Sequence, residues 1–209
     1  MDKKIIFSVV LYKTNIEDVN NLLNSIINFN DRYGEKYDID LLISDNSPSN
    51  VINQKIRNKL TLISSTFTYN YKNIGFGAGH NRNIFELNSI HSNSIIIILN
   101  PDIKFRASEL INIVEYSFKN FQNVSCLSPL IYNSKNKIQY TAKKNPTFMS
   151  LIIGRISFFQ KFKLLNKYLS FNQNKEFNYK LDIFSSTYLS GCFLILPSWS
   201  FLQLSGFDE

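Results

Sequence analysis

The run from Ser94 to Leu99, with four isoleucines in succession, ends on Asn100-Pro101-Asp102. Consecutive isoleucines cannot alternate between core and water. A strand built from them must be covered on both faces, as a central strand of a parallel or mixed α/β sheet is. Pro101 ends the ladder because it has no N–H to donate. In open α/β sheets ligands bind beyond the carboxyl ends of the strands, which is where Asn100 and Asp102 fall. Hard cations such as Mg²⁺ take oxygen ligands, often one or two carboxylates together with substrate phosphates, so Asp102 is a candidate metal-diphosphate contact. The plainer alternative is a turn carboxylate after a core strand.

Earlier segments supply neighbours for that strand. Ile5 to Tyr12 is a second apolar run; Thr14 with Glu17 forms a capping box, and Val19, Leu22, Leu23, Ile26 and Ile27 recur at helical spacing. A strand over Ile39 to Ser44 ends in Asp45-Asn46-Ser47-Pro48, which puts Asp45 on the same sheet edge as Asp102. A further strand within Leu60 to Tyr71 leads to Asn73-Ile74-Gly75-Phe76-Gly77-Ala78-Gly79-His80-Asn81, with a helix expected over Asn83 to Leu87. The glycines let a backbone approach a ligand, and the following helix N-terminus favours an anion. Equally, Gly75, Gly77 and Gly79 could serve a tight connection, with His80 capping the helix. The spacing GxGxG is not the dinucleotide fingerprint, and the first strand is not followed by a glycine turn, which argues against an NAD-dependent oxidoreductase.

Ser108 to Phe121 reads as a helix with Leu110, Ile113, Val114 and Phe118 on one face, and Val124 to Leu130 as a strand. Ile131-Tyr132 and Ile138 to Thr141 form a hairpin around Asn133 to Lys137, and Tyr188 to Pro197 is another buried strand. Between them, over Lys143 to Leu181, Arg155, Lys161, Lys163 and Lys167 interleave with aliphatic and aromatic residues. That pattern fits an interfacial helix on anionic lipid, or a packed helix with solvated lysines. The net charge of +7 favours anionic partners. No recognised nucleic-acid motif accompanies it, so nucleic acid is not expected. Cys126 and Cys192 lie far apart with no CxxC pair, as reduced thiols in a cytosolic compartment would. Met1 to Leu11 only faintly imitates a signal peptide, without a small-residue cleavage site, and no run approaches the roughly 20 apolar residues of a membrane span. Any membrane contact is therefore expected to be peripheral.

Taken together, Ser8-Val9-Val10-Leu11-Tyr12, Ser44-Asp45-Asn46-Ser47, Asn73-x-Gly75-Phe76-Gly77-x-Gly79-x-Asn81, Leu99-Asn100-Pro101-Asp102, Leu189-Ser190-Gly191-Cys192-Phe193 and Gly206-Phe207-Asp208-Glu209 resemble family two of the inverting glycosyltransferases. Within it they are similar to bacterial rhamnosyltransferase-like enzymes of O-antigen and other surface-polysaccharide synthesis. The resemblance implies an α/β fold of GT-A type: a Rossmann-like, mostly parallel central sheet flanked by helices, with a small acceptor-side hairpin region. One glycosyltransferase domain would fill residues 1–209, with the nucleotide-binding part over about 1–130 and the acceptor-side, membrane-contact part over about 131–209. Val10, Tyr12, Asn73, Gly75, Phe76 and Asn81 would lie along the donor, and Asp45 would contact its nucleobase. Asn100 and Asp102 take the place of the DxD motif, so Asp102 would hold Mg²⁺ or Mn²⁺ against the diphosphate. Ser190 and Gly191 would face the acceptor.

The implied reaction moves a sugar, rhamnose foremost, from a dTDP- or UDP-linked donor to a lipid-linked oligosaccharide, in the cytoplasm at the inner face of the cell membrane. Two departures stand out. The family often has an acidic residue shortly before Ser-Gly-Ala, where this chain has Ser186-Thr187-Tyr188. It also continues past Phe-Asp-Glu to a Glu-Asp pair whose aspartate is the general base, so the resemblance implies a truncated chain. Asp208 is then the remaining catalytic candidate, and the alternative is a sugar-nucleotide-binding module without its base.

Overall fold

The computed structural model describes residues 3–49, 52–87, 90, 93–145 and 170–209. In chain order its elements are β1 (Lys4–Leu11), α1 (Ile16–Tyr33), β2 (Asp38–Asp45), α2 (Gln54–Leu60), β3 (Ser64–Tyr69), α3 (Phe76–Phe85), β4 (Ser94–Leu99), α4 (Ala107–Lys119), β5 (Ile131–Tyr132), β6 (Ile138–Gln139), β7 (Ala142–Lys143), β8 (Tyr188–Leu189), β9 (Phe193–Pro197) and α5 (Ser198–Gln203). They divide into two compact units, Met1–Leu127 with Gly191–Glu209, and Ser128–Ser190.

The first unit holds a five-stranded sheet in the order β3-β2-β1-β4-β9. β1, β2, β3 and β4 run parallel, and β9 is antiparallel to β4. This is the mixed, mostly parallel sheet the apolar runs require. β1 and β4 are buried at every position, as strands apolar on both faces must be. Lys4 is the charged exception, and it is paired with Asp40 at 2.6 Å and Asp38 at 3.0 Å. Burial pulls its pKa down, but the hydrogen bonds and charges of Asp40 and Asp38 outweigh this and leave it above its ordinary value. The register is flush across three strands, with Leu11 beside Asp45 and Asp45 beside Tyr69, so their ends leave the sheet side by side.

Helix α1 buries Val19, Leu22, Leu23, Ile26 and Phe29, the stripe read from the sequence apart from Phe29 in place of Ile27. Phe7, Phe29 and Phe105 pack together beneath it, with ring centroids 5.7 to 6.4 Å apart. Its N-cap is Asn15 rather than Thr14: the Asn15 side chain accepts from Glu17 N, while Thr14 Oγ1 accepts from Tyr12 N in the turn. Asparagine is among the strongest caps, and the threonine is already engaged. In α4 the buried face is Ala107, Leu110, Ile111, Val114 and Ser117.

One element is added to the expected set and three expectations are corrected. α2 is an added helix, capped by Asn53 and burying only Ile56, too short to show a periodic stripe. The stretch Val124 to Leu130 forms a single bridge, Leu127 to Ile195, instead of a strand. The run Tyr188 to Pro197 is two strands, because β8 pairs with β7 and β9 pairs with β4. The glycine segment is no loop, since α3 begins at Phe76 and contains both Gly77 and Gly79.

In the second unit, β5 and β6 form the expected hairpin. Tyr179 ties the unit together, its one O–H shared between Ala142 O and Gln173 O, and burial with the nearby Tyr140 and Glu176 pushes its phenol up to about 12. The basic aromatic stretch carrying Arg155, Lys161, Lys163 and Lys167 lies outside the described residues. Among the described residues no helix is long and apolar enough to cross a membrane.

Candidate functional site

The carboxyl edge of the parallel strands is laced by short polar side chains. Asp45 ends β2 and is fully buried; its Oδ1 accepts from Ser47 N at 2.9 Å, while Oδ2 has no hydrogen-bond partner. A buried carboxylate oxygen left without a donor is costly, so Oδ2 is an acceptor that a donor group would satisfy. Asn46 donates to Gly75 O at 2.9 Å and accepts from Asn70 Nδ2 at 2.7 Å. Ser47 Oγ accepts from Lys13 N at 2.8 Å. Backbone bonds from Asn46 N to Leu11 O and from Asn70 N to Asp45 O extend the ladder one residue past the strands.

The neighbouring strands bring further residues to this edge. Val10 is buried on β1, and Tyr12 is exposed just beyond its end. The turn after β4 presents Asp102 exposed, with Asn100 half-buried. Asn100 N donates to Cys192 O at 2.9 Å, which sets the start of β9 beside that turn. Gly191 lies against Phe76: a Cβ there would come within 3.2 Å of its ring. The residues of β1, β2, β4 and β9 that were read separately from the sequence thus share one edge. Ser190 belongs to the second unit, where its N–H donates to Thr141 O.

Helix α3 is seated on this edge by its glycines. Asn73 Oδ1 accepts from Gly75 N, and Gly75 caps the helix at φ 97, a backbone that favours glycine. A Cβ on Gly79 would meet Val10 at 2.7 Å, and one on Gly77 would meet Phe207 at 2.9 Å. Close helix–strand contact therefore accounts for Gly79. Asn81 turns to the C-terminal segment: its Nδ2 donates to Phe207 O and Glu209 Oε1, and its Oδ1 accepts from Phe207 N. Asp208 is exposed on that segment. Gly206, at φ 83, presses against the Asn81 side chain and leaves no room for a Cβ.

Beneath the edge runs a buried polar network that the sequence reading missed. Asn83 donates to Ser8 Oγ, Val9 O and Leu42 O and accepts from Ser44 Oγ, while Ser8 Oγ meets His80 Nδ1 at 2.7 Å. His80 is interior rather than a cap, and burial lowers its pKa to about 3. Lone serines inside otherwise apolar strands were the available signal, since a buried hydroxyl requires a partner.

No family model and no curated protein matches the sequence. Solved structures do. The mannosyltransferase PcManGT from Pyrobaculum calidifontis, in complex with GDP-Man and Mn²⁺, is similar with a TM-score of 0.58 and 11% identity, over 98% of this chain and 47% of that one. TarS 1-349 from S. aureus is similar with a TM-score of 0.51 and 14% identity, over 72% of this chain and 44% of that one. Its complex with UDP-GlcNAc gives a TM-score of 0.50 at 13% identity, over 69% and 39%. The chain spans about half the length of these proteins or less. The likeness establishes the fold: a mixed α/β sheet of the GT-A type flanked by helices.

Proposed function

We propose that this chain is the sugar-nucleotide-binding unit of a glycosyltransferase that moves a sugar from a nucleoside diphosphate to a hydroxyl acceptor. The observation that carries this is the unpartnered, fully buried Oδ2 of Asp45 on the same sheet edge as exposed Asp102. A base N–H, such as the imide of uracil or thymine, would satisfy Asp45. Among the described residues no cluster of three or more His, Cys, Asp or Glu side chains could hold a metal. A cation here would take Asp102, supported by Asn100, and oxygens of the donor diphosphate, a donor set suited to Mg²⁺ or Mn²⁺. When bound, such a cation neutralises charge developing on the leaving diphosphate. The Mn²⁺ and GDP-Man complex of PcManGT supports that assignment.

In the transfer, the acceptor hydroxyl oxygen forms the new bond to the anomeric carbon, the bond to the diphosphate oxygen breaks, and the configuration inverts. A base must take the hydroxyl proton. Asp208 is the exposed carboxylate assigned that role, whereas Glu209 is held by Asn81 at 3.0 Å. The motif resemblance favours a rhamnose-like sugar on a dTDP or UDP donor and a lipid-linked oligosaccharide of bacterial surface-polysaccharide or O-antigen synthesis. The net charge of +7 suits an anionic membrane face on the cytoplasmic side. Vesicle sedimentation tests this last part: binding should require anionic lipid and weaken with salt, each surface cation contributing about 1 kcal/mol.

Calorimetric titration of UDP and dTDP, with and without Mg²⁺ or Mn²⁺, tests the core of the proposal. Metal is expected to strengthen nucleotide binding, and nucleotide binding indifferent to both metals would overturn it. Sugar transfer or donor hydrolysis in the same samples separates an enzyme from a sugar-nucleotide-binding module.

A further inference from the structure

The positive charge of the chain belongs to its second unit. Of the 23 lysines and arginines, ten fall within Ser128–Ser190 against two acidic residues, Glu176 and Asp182, a net charge of +8; the first unit, with the other 13 cations and 14 carboxylates, carries −1. Six of those ten cations are among the described residues, and both carboxylates are engaged within the unit. Glu176 pairs with Lys144 at 2.8 Å, and Asp182 Oδ2 accepts from Asn178 N at 2.7 Å. Lys135, Lys137, Lys175 and Lys180 are exposed.

The turn that engages Asp182 displays two apolar side chains. Asn178 O accepts from Leu181 N at 3.0 Å and from Asp182 N at 2.8 Å, and Asn178 Oδ1 accepts from Lys180 N at 3.1 Å. Phe184 supports the turn, stacked on Phe177 with centroids 4.4 Å apart and meeting the Tyr179 ring at 5.0 Å. Leu181 and Ile183 are 81% and 80% exposed, more than any other large apolar side chain among the described residues. One exposed apolar residue is ordinary, but two on a hydrogen-bonded turn beside a free lysine are the composition of an interfacial anchor. Such an anchor sets apolar groups into the boundary between headgroups and acyl chains and keeps cations among anionic headgroups. Lys135 and Lys137 stand on the β5–β6 turn and Lys180 on this one, so the charge is spread over the unit. A fluid anionic bilayer meets spread charge without a matched pattern of carboxylates, which an acidic protein would have to supply.

We propose that residues 178–183 form a membrane anchor, in which Leu181 and Ile183 enter the surface of an anionic bilayer while Lys175 and Lys180 hold its headgroups. This deepens the membrane part of the reading above: it assigns the contact to the second unit and to one turn within it.

The test is sedimentation of the full chain with phosphatidylcholine vesicles, with and without phosphatidylglycerol, alongside UDP titration and melting temperature for each variant. The parent chain should bind only the vesicles that contain phosphatidylglycerol. Leu181→Ser with Ile183→Ser should weaken that binding on the order of tenfold or more and keep its salt dependence. Lys175→Gln with Lys180→Gln should weaken it roughly 25-fold and flatten the salt dependence. Melting temperature and UDP affinity should match the parent chain, because all four side chains are exposed. A Leu181→Trp variant keeps an apolar tip, and its added indole should shift its emission to the blue on phosphatidylglycerol vesicles, beside the single native Trp199. An unshifted indole, a serine variant that binds like the parent, or a loss that tracks a fall in melting temperature would overturn the anchor. A parent chain indifferent to phosphatidylglycerol would overturn it too and leave the cations to an acidic protein. Each of these results leaves the sugar-nucleotide reading standing, whereas a chain that binds the vesicles but not UDP would remove that reading and keep the anchor.

Discussion

Asp102→Asn is expected to leave the fold intact while removing most metal-dependent nucleotide binding and, where transfer is measurable, lowering turnover by roughly 10²- to 10³-fold. The carboxylate is exposed, so its loss breaks little packing, and surface changes of this kind usually stay within about 0.5 kcal/mol. Its position is nonetheless fixed. β4 is buried along its whole length between β1 and β9, and the turn after it is held by Asn100 N to Cys192 O and by Ile103 N to Asn100 O. A group held in place before binding loses little entropy when a cation arrives. Asparagine keeps the size and removes the charge, which isolates the electrostatic part. Melting temperature and the metal dependence of UDP or dTDP affinity should be measured on the same protein. A lowered melting temperature with intact affinity would identify Asp102 as a turn carboxylate and take the cation away from this edge.

The parts of this fold legible in the sequence are those decided by burial on both faces. The isoleucine run of β4 and the apolar run of β1 have no amphipathic alternative, and strands that must be covered twice lie inside a sheet. What escaped depends on contacts distant along the chain. Gly77 and Gly79 count against a helix by intrinsic propensity, about 1 kcal/mol each. Yet α3 includes them because Val10 leaves no space for a Cβ at Gly79, and neither residue predicts the other. The run Tyr188 to Pro197 looks continuous until its halves pair with different strands, β7 in one unit and β4 in the other. Val124 to Leu130 has strand composition, but only Leu127 finds a partner backbone.

The edge residues follow the same division. Asp45 and Asp102 were readable as carboxylates at strand ends, since strand direction alone puts them there. Asn46, Asn70 and Asn83 were not, because each is meaningful only through the groups it joins. Asn81 was read as a donor contact, whereas its bonds to the C-terminal segment, more than a hundred residues away, are visible only in the fold.

His80 should make the protein acid-sensitive in a range where carboxylates contribute little. It is fully buried beside the rings of Phe76 and Phe207, at 4.4 and 6.0 Å, and its Nε2 has no hydrogen-bond partner. Ser8 Oγ accepts from Asn83 and meets His80 Nδ1 at 2.7 Å, a contact that either neutral tautomer of the ring makes. Burial holds the folded-state pKa at about 3, against 6.5 for a solvated histidine. Above pH 6.5 the ring is neutral in both states and its pH-dependent contribution is constant. As pH falls below 6.5, the unfolded chain takes up a proton that the folded chain refuses, so stability falls. The slope approaches 1.36 kcal/mol per pH unit, for a loss of about 2 kcal/mol by pH 5 and about 4 kcal/mol by pH 3. Against a typical total of about 5 to 15 kcal/mol, that is a large share.

Glu115 and Glu176, whose pKa values are lowered by hydrogen bonds from Lys36 and Lys144, act below their ordinary 4.5, and both are exposed, which limits their weight. The interval from pH 6.5 to 5 therefore isolates histidine. The other histidine of the chain, His91, is removed by His91→Gln, and urea unfolding of that variant should retain the full loss between pH 6.5 and 5. Adding His80→Gln should lower stability at pH 7.5, because the Ser8 contact is disturbed, and flatten the profile over the same interval. A parent profile already flat there would mean that His80 is solvated or charged in the folded protein, and that the network of Ser8, Ser44 and Asn83 beneath the sheet edge is open to water.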